Sequence, residues 1–342
     1  MRINSKRFAA GAALALVASL GLAACGSSDD GGSGSDGGDV TVTFLPKNLG
    51  NPYFETSDAG GKKAVEEFGG TYDEVGPDTA GPPDAQVSFI DTAAQQGVKG
   101  LVVSANDPTA LCDSLDAARD AGTKVVTFDS DTDAECRDLF INQATAEGIA
   151  KVQVDMIAEQ IGDSGEIAIL SAAANATNQN AWIKLMEEEL KSHPPDIKLV
   201  DTVYGDDDDQ TSFDKTAALL ADHPNLKGII SPTTVGISAA ARYLSTSDAK
   251  GKVALTGLGT PNQMRDYVKD GTVKEFALWN PEDLGYLAAY ATKALVDGDI
   301  TGKEGDTFEA GDLGEFTVDE NGTVLLGDPF RYNADNIDDF NF

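Results

Sequence analysis

The amino-acid sequence predicts an α/β protein of two lobes, each a parallel, doubly wound sheet flanked by helices. Two observations predict this fold. From residue 39 onward, short β-rich runs alternate with amphipathic helical stretches, and strands that alternate with helices form parallel sheets covered on both faces. The chain also has 342 residues, a length that favours two compact domains.

The predicted strands fall into two series along the chain. The first series covers 40–45, 71–75, 99–103, 124–128 and a short run at 139–142. The second series covers 166–170, 197–203, 227–230, 252–256 and 274–278. Helical stretches separate most of these strands, and no short-period repeat of the kind that builds a solenoid is present.

The start of the chain predicts a leader that is removed. A positively charged start precedes an uncharged apolar run of 15 residues over 8–22, which is shorter than the roughly 20 residues of a membrane span. The run ends in Leu22-Ala23-Ala24-Cys25, which resembles the bacterial lipoprotein processing box. We therefore expect a lipoprotein signal peptide at 1–24 and lipidation of Cys25. An ordinary secretory signal with an incidental cysteine is the alternative.

Residues 25–38 predict a flexible tether behind that cysteine. After Cys25 the segment contains only Gly, Ser and Asp, so it cannot form a core. It would hold the body of the protein away from a membrane, which predicts an extracytoplasmic, lipid-anchored location.

The charge of the chain excludes one class of partner. Asp and Glu number 57 against 25 Lys and Arg, a formal net charge of −32. A protein that binds nucleic acid through phosphate contacts carries the opposite charge, so we expect no nucleic-acid partner.

Two cysteines follow the tether, Cys112 and Cys136. An even pair in an exported protein favours a disulfide. Two buried free thiols remain the alternative.

Polar side chains collect where predicted strands give way to helices. Four junctions place a helix-capping residue before a proline, which suits the first helical position. They are Asn51-Pro52, Asp107-Pro108, Thr260-Pro261 and Asn280-Pro281. Because each follows a strand, we expect them at the carboxyl edges of the sheets, where open α/β sheets bind ligands.

Amides, carboxylates and aromatic rings cluster at or near such junctions. The candidate ligand-binding residues are Lys47, Asn48, Asn51, Tyr53, Phe54, Asn106, Asp129, Asp131, Asn178, Gln179, Trp182, Pro232, Thr234, Trp279 and Asn280. Every hydroxyl of a neutral polyol both donates and accepts, so these polar groups suit it, while an aromatic face covers its C–H side. The clusters contain no arginine, which a phosphorylated ligand would favour.

The sequence gives little support for an enzyme, a cofactor or a metal site. The histidines, His193 and His223, both precede prolines and suit helix ends better than a catalytic triad or a zinc site. The run from Asp129 to Asp133 begins like a calcium loop, but Ala134 and Phe140 stand where an EF-hand needs glycine and glutamate. The run 206–209 predicts a solvated acidic loop, with a metal site as the alternative.

The chain from about Val40 to Phe342 resembles the periplasmic sugar-binding proteins of ABC transporters, in the branch that contains the rhamnose- and autoinducer-2-binding proteins. The resembling stretches are 46–54, 104–108, 129–131, 142–145, 176–182 and 260–279. The resemblance implies a type I periplasmic-binding-protein fold, with two Rossmann-like lobes joined by three crossovers near Asn142, Trp279 and 305–312. The lobes would comprise 39–142 plus 280–307 and 143–279 plus 308–342.

The resemblance also implies roles for particular residues. Lys47, Asp129 or Asp131, Asn178, Gln179, Pro232 and Thr234 match contact positions of the autoinducer-2 relative, whereas Asn51, Tyr53, Phe54, Asn106 and the Trp279-Asn280 corner match the broader pentose and hexose binders. The relative also has cysteines at the positions of Cys112 and Cys136, which supports their pairing.

Two departures from the autoinducer-2 pattern favour a different ligand. Asn178 replaces an aspartate and Thr234 replaces an alanine, and each change adds a hydrogen-bonding group. The resemblance therefore implies capture of a deoxyhexose such as rhamnose and its delivery to an ABC-transporter permease and ATPase, by a protein that we expect to be a monomer. An autoinducer-2 receptor and a binder of another sugar, such as a pentose, are the alternatives.

Overall fold

The computed structural model describes residues 40–79, 81–82, 84–192 and 196–342. The predicted signal peptide, Cys25, the tether and His193 lie outside the described residues. Within the described part, parallel sheets are flanked by helices, which confirms the predicted fold class.

The elements follow the predicted alternation. The strands are β1 (Thr41–Leu45), β2 (Thr71–Glu74), β3 (Gly100–Val103), β4 (Lys124–Phe128), β5 (Leu139–Asn142), β6 (Gly165–Ser171), β7 (Ile197–Tyr204), β8 (Leu226–Ser231), β9 (Ala254–Gly257), β10 (Glu275–Leu278), β11 (Thr307–Glu309), β12 (Glu315–Thr317), β13 (Thr323–Leu325) and β14 (Phe330–Asn333). The helices are α1 (Pro52–Glu67), α2 (Val87–Gln96), α3 (Cys112–Asp120), α4 (Ala146–Ile161), α5 (Thr177–Ser192), α6 (Asp209–Asp222), α7 (Thr234–Thr246), α8 (Pro261–Lys269) and α9 (Pro281–Asp297). Strands β1 to β10 coincide with the predicted strands to within two residues at each end.

Three of the four capping dipeptides begin helices. Helices α1, α8 and α9 start at the proline of Asn51-Pro52, Thr260-Pro261 and Asn280-Pro281. The fourth expectation is wrong, because α3 begins only at Cys112. Asp107 instead closes a turn, since its Oδ1 accepts from the backbone N–H groups of Thr109 and Ala110, both at 2.9 Å.

The first lobe is built on a parallel sheet in the order β13-β5-β4-β3-β1-β2. Its inner strands are largely apolar and buried. All four residues of β3, for example, are buried. Helix α9 packs against α1 in this lobe with very close backbones. A Cβ atom placed on Gly285 of α9 would lie 1.7 Å from the carbonyl oxygen of Ser57 on α1, and one on Gly60 would lie 1.9 Å from that of Glu282. Glycine is therefore required at this helix contact.

The last strand of the first sheet corrects the predicted division of the lobes. Strand β13 pairs in parallel with β5, with Thr323 opposite Phe140. The hairpin of β11 and β12 also lies on this lobe, because β11 contacts α9. Residues 308–325 thus belong with the first lobe, and 305–312 is not a crossover. The chain crosses at 326–329, immediately before β14. Strand β13 belongs to the first lobe because it covers the edge of β5, which would otherwise be unpaired.

The second lobe is built on a parallel sheet in the order β7-β6-β8-β9. Strand β10 continues it through a bridge between Leu258 and Ala277, and β14 adds an antiparallel strand beside β10. The chain enters this lobe between β5 and α4 and leaves it between β10 and α9, close to Asn142 and Trp279. The carboxyl ends of β6, β8 and β9 therefore precede loops that can face those of β1 and β4.

A disulfide joins Cys112 at the start of α3 to Cys136, just before β5, with 5.1 Å between their Cα atoms. The segment that the bridge closes contains α3, β4 and the loop that follows β4. Among the described helices, none has the length and apolar character needed to cross a bilayer.

Candidate functional site

A cavity lies between the two lobes, at the carboxyl ends of their strands. Its predicted lining residues are Lys47, Asn51, Tyr53, Phe54, Asp129, Asn178, Gln179, Trp182, Pro232, Thr234 and Trp279. The lining residues that the sequence analysis missed are Asp207, Thr233, Leu258 and Leu278. The cavity occupies the place where parallel strands of open α/β sheets bind ligands.

Asp129 is the centre of a buried hydrogen-bond network in the first lobe. Its Oδ1 accepts from the hydroxyl of Tyr53 at 3.1 Å, and its Oδ2 accepts from Ser104 Oγ at 2.8 Å. The Tyr53 hydroxyl in turn accepts from Trp279 Nε1 at 2.9 Å. Burial and the nearby Asp129 charge raise the pKa of Tyr53 far above its usual value, so its hydroxyl keeps the proton that it donates.

The backbone of Asp129 is held in an uncommon conformation. Its φ is +60°, a left-handed conformation that aspartate tolerates better than most residues. Gln143 Nε2 donates to the Asp129 carbonyl oxygen at 3.0 Å. Gln143 lies in the first crossover, so the connection between the lobes fixes the loop that carries this carboxylate.

Lys47 connects the two lobes at the cavity. Its ammonium group is buried and lies 3.8 Å from Asp129 Oδ2 in its own lobe. It also donates to Asn178 Oδ1, at the start of α5 in the second lobe, at 3.1 Å. A buried ammonium needs such partners, since an unpaired buried charge is costly. Lys47 therefore links the polar walls contributed by both lobes.

Two amide side chains present donors to the cavity. Gln179 Oε1 accepts from Ser171 Oγ at 2.7 Å and from the Ala172 backbone N–H at 2.9 Å, which leaves the NH₂ group of Gln179 for other acceptors. Asn51 Oδ1 likewise accepts from the backbone N–H of Tyr53 at 3.1 Å as the cap of α1. Each oxygen has an internal partner, so each amide offers its nitrogen to a ligand.

Asp207 supplies an acceptor from the second lobe. It follows β7 with a φ of +50° and lines the cavity, where the hydroxyl of Thr233 donates to it. Burial raises the pKa of the Asp207 carboxyl, while the Thr233 hydrogen bond and the Lys47 charge oppose the rise. The prediction that 206–209 is a solvated loop is therefore wrong for Asp207. Its position in the loop that follows a predicted strand was the signal that could have identified it.

Asp131 does not line the cavity. Its carboxylate accepts from Arg137 Nε at 2.7 Å and Nη2 at 2.8 Å. The buried Arg137 also donates through Nη1 to the carbonyl oxygens of Asn321 and Gly322, at 2.9 and 3.2 Å. Asp131 thus orients an arginine that fastens the chain just before β13 to the first lobe. Asp131 is one of the residues expected to bind the ligand, but the structure places its carboxylate on Arg137 and outside the cavity lining.

Three other predicted residues also lie outside the cavity lining. Asn106 Nδ2 donates to the Lys47 carbonyl oxygen at 3.3 Å, so Asn106 supports the Lys47 loop. Asn280 Oδ1 caps α9 by accepting from the Glu282 backbone N–H at 3.0 Å. Asn48 lines a separate opening beside the cavity. The side chains of Asn48 and Asn106 donate to backbone carbonyl oxygens in loops, and that of Asn280 caps a helix.

Aromatic rings form one side of the cavity. The rings of Trp182 and Trp279 lie 6.1 Å apart at an interplanar angle of 64°, and Tyr53 meets Trp279 edge to face at the same separation. Such rings present flat apolar faces beside polar edges.

His223, which the sequence places at a helix end, lies just after α6, 3.2 Å from Asp201, and is not among the lining residues.

Comparison with known proteins identifies the family. Residues 42–300 match the family described as periplasmic binding protein domain. The structure of a sugar ABC transporter protein from Actinomyces odontolyticus is 58% identical, with 88% of this chain and 97% of that chain covered and a TM-score of 0.73. A solute-binding protein from Clostridium phytofermentas with bound L-rhamnose is 39% identical, with 88% and 98% covered and a TM-score of 0.85.

A further solved structure is similar to this chain. LsrB from Clostridium saccharobutylicum, in complex with AI-2, is 28% identical, with 89% of this chain and 100% of that chain covered and a TM-score of 0.83. The family model covers well over half of this chain. The chain therefore belongs to the periplasmic binding protein domain family, and it is a binding protein of a transport system rather than an enzyme.

Proposed function

We propose that this chain is the extracytoplasmic sugar-binding component of an ABC transporter and that its ligand is L-rhamnose. The observation that carries the proposal is the ring of hydrogen-bonding groups that both lobes place around one cavity. Lys47, Gln179 and Asn51 offer donors, and Asp207 and Asp129 offer acceptors. A sugar hydroxyl needs both kinds of partner.

The proposed ligand also suits the aromatic side of the cavity. Trp182 and Trp279 share the lining with the polar groups, so a sugar ring can place its C–H face on indole while its hydroxyls reach the amides and carboxylates. The relative with bound L-rhamnose has the higher identity of the two ligand-bound relatives compared above, 39% against 28%. Asn178 and Thr234, the two departures from the autoinducer-2 pattern, both belong to this lining.

The arrangement of the site supports a clamshell mechanism. Asp129 and Lys47 act from the first lobe and Gln179 and Asp207 from the second. A ligand that contacts both lobes binds the closed state more tightly than the open state and shifts the population towards closure. The closed form would then dock on the permease, so docking reports that the cavity is filled.

Isothermal titration of the purified protein with L-rhamnose, D-ribose, D-galactose and autoinducer-2 tests the ligand. We expect one-to-one binding of L-rhamnose at least about tenfold tighter than that of the other three, because a buried polar site discriminates strongly between hydrogen-bonding patterns. Autoinducer-2 is the second candidate because of its complex with the LsrB relative. Binding of autoinducer-2 without L-rhamnose would replace the proposed ligand by this second candidate.

We also propose that the protein is anchored by lipid on Cys25 after removal of residues 1–24. The support is the sequence Leu22-Ala23-Ala24-Cys25 and the Gly, Ser and Asp tether behind it. Cell fractionation should recover the wild-type chain with membranes and the Cys25→Ser variant without them. Ser27→Ala, in the tether, is the matched control and should stay with the membranes. Equal membrane recovery of Cys25→Ser would contradict the anchor.

A further inference from the structure

One corner of the cavity is lined by hydrocarbon. Leu258 follows β9 and Leu278 ends β10, and both residues line the cavity although each is almost fully buried. The two strand ends are neighbours, since Leu258 bridges to Ala277 directly before Leu278. Trp279 follows at once and brings its ring to within 6.1 Å of that of Trp182. These four residues, Leu258, Leu278, Trp279 and Trp182, form what we call the apolar corner.

Two backbone N–H groups behind the apolar corner have partners. The backbone N–H of Leu258 donates to the Ser231 carbonyl oxygen at 3.0 Å, and that of Gly259 donates to the Ala277 carbonyl oxygen at 3.1 Å. Leu278 stands opposite Phe330 in the ladder between β10 and β14. The polar residues Thr233 and Thr234 follow β8, on the far side of β9 from β10. A ligand group in this corner therefore meets side-chain carbon.

We infer that the apolar corner receives the methyl group of a 6-deoxyhexose and thereby selects it over the corresponding hexose. This inference rests on the proposed function, since it assigns one part of the same ligand. The remaining lining groups, such as Lys47, Asp129, Gln179 and Asp207, are then left for the ring hydroxyls. A hydroxymethyl group in the same place would bury a hydroxyl against the leucines without a partner, and that is costly.

Three sugars isolate this position, because they differ only in the substituent at C5 of the ring. L-Rhamnose carries a methyl group there, L-mannose a hydroxymethyl group and L-lyxose a hydrogen. We expect L-rhamnose to bind about 5- to 10-fold more tightly than L-lyxose, since a buried methyl group is favourable. We expect it to bind roughly 10- to 100-fold more tightly than L-mannose, the range over which an apolar pocket rejects an added hydroxyl.

Variants of the corner should change the ratio of affinities rather than merely lower every affinity. In Leu258→Ala and Leu278→Ala the methyl group loses its contacts, so the preference for L-rhamnose over L-lyxose should fall to about twofold or less. Leu255→Ala is the matched control, because Leu255 is equally buried on β9 but does not line the cavity. It should lower stability and leave the ratio unchanged. Calorimetric titrations of all three sugars give these ratios.

The outcomes separate the inference from the function on which it rests. Tight binding of L-rhamnose with equal or tighter binding of L-lyxose or L-mannose overturns the methyl assignment and leaves the sugar-binding function in place. Failure of all three sugars to bind overturns the proposed ligand and the inference with it. If the leucine variants fail to fold, the titrations of the wild-type protein still decide the question.

Discussion

Replacing Asp129 by alanine is expected to lower the affinity for L-rhamnose by at least about 100-fold in a protein that remains folded. The change removes the acceptor of Tyr53 and Ser104 and the carboxylate that lies 3.8 Å from the buried ammonium of Lys47. A hydrogen bond from a sugar hydroxyl to a charged acceptor contributes about 1.5–3 kcal/mol, each 1.4 kcal/mol is about a factor of ten in affinity, and the loss of the carboxylate beside Lys47 displaces a second group of the site. Isothermal titration measures the loss, and circular dichroism checks the fold.

Two further variants show whether the lost affinity comes from the carboxylate itself. Asp129→Asn keeps a side chain that tolerates the φ of +60° at this position, and it should lose most of the affinity with less strain. Asp131→Asn changes a carboxylate that orients Arg137 outside the cavity lining, so it should lower stability and leave the affinity within about threefold. Unchanged affinity in a folded Asp129→Ala protein would remove Asp129 from the proposed site.

Replacing Gly285 by alanine is expected to destabilise the protein by about 2–4 kcal/mol. The added Cβ atom would lie 1.7 Å from the Ser57 carbonyl oxygen, and a backbone atom cannot move aside as a flexible side chain does. Helices α1 and α9 must therefore separate, which costs more than the helix preference of alanine over glycine returns. Equilibrium urea unfolding, followed by circular dichroism, measures the free energy of unfolding.

A second glycine provides the control for the Gly285 substitution. A Cβ atom added at Gly327 would have no neighbouring atom within 4 Å, so Gly327→Ala should change the free energy of unfolding by less than about 0.5 kcal/mol. If Gly285→Ala is as stable as the wild type, the two helices are not held at the distance that the structure shows.

The fold is predictable because its main signals are local. Strands such as 124–128 and 139–142 are short apolar or β-branched runs, and Asn51-Pro52 carries its own capping chemistry. Strand β13 carries no comparable signal. It is three residues long, and it is defined by its pairing with β5, a strand that lies far earlier in the chain. Long-range pairing of this kind cannot be inferred from the local pattern.

The candidate site is predictable to the level of a loop but not of a side chain. Asp129 and Asp131 follow the same strand two residues apart, and the sequence cannot tell which one faces the cavity. The choice depends on the left-handed backbone of Asp129 and on the guanidinium of Arg137, which engages Asp131. Asp207 was not predicted as a site residue because a run of four acidic residues favours a solvent-exposed loop. In the structure the loop instead turns the Asp207 carboxyl towards Thr233.

The placement of β13 and α9 in the first lobe has a consequence for folding kinetics. The first lobe is completed only by residues 281–325, which follow nearly the whole second lobe in the chain. Until those residues have been synthesised, the face of α1 that carries Gly60 and the outer edge of β5 have no partner. Contacts between such distant segments form slowly, and unpaired edges invite aggregation in the meantime. The part of the second lobe from α4 to β10 is continuous in the chain and can fold before the first lobe is complete, whereas β14 joins the edge of β10 only afterwards.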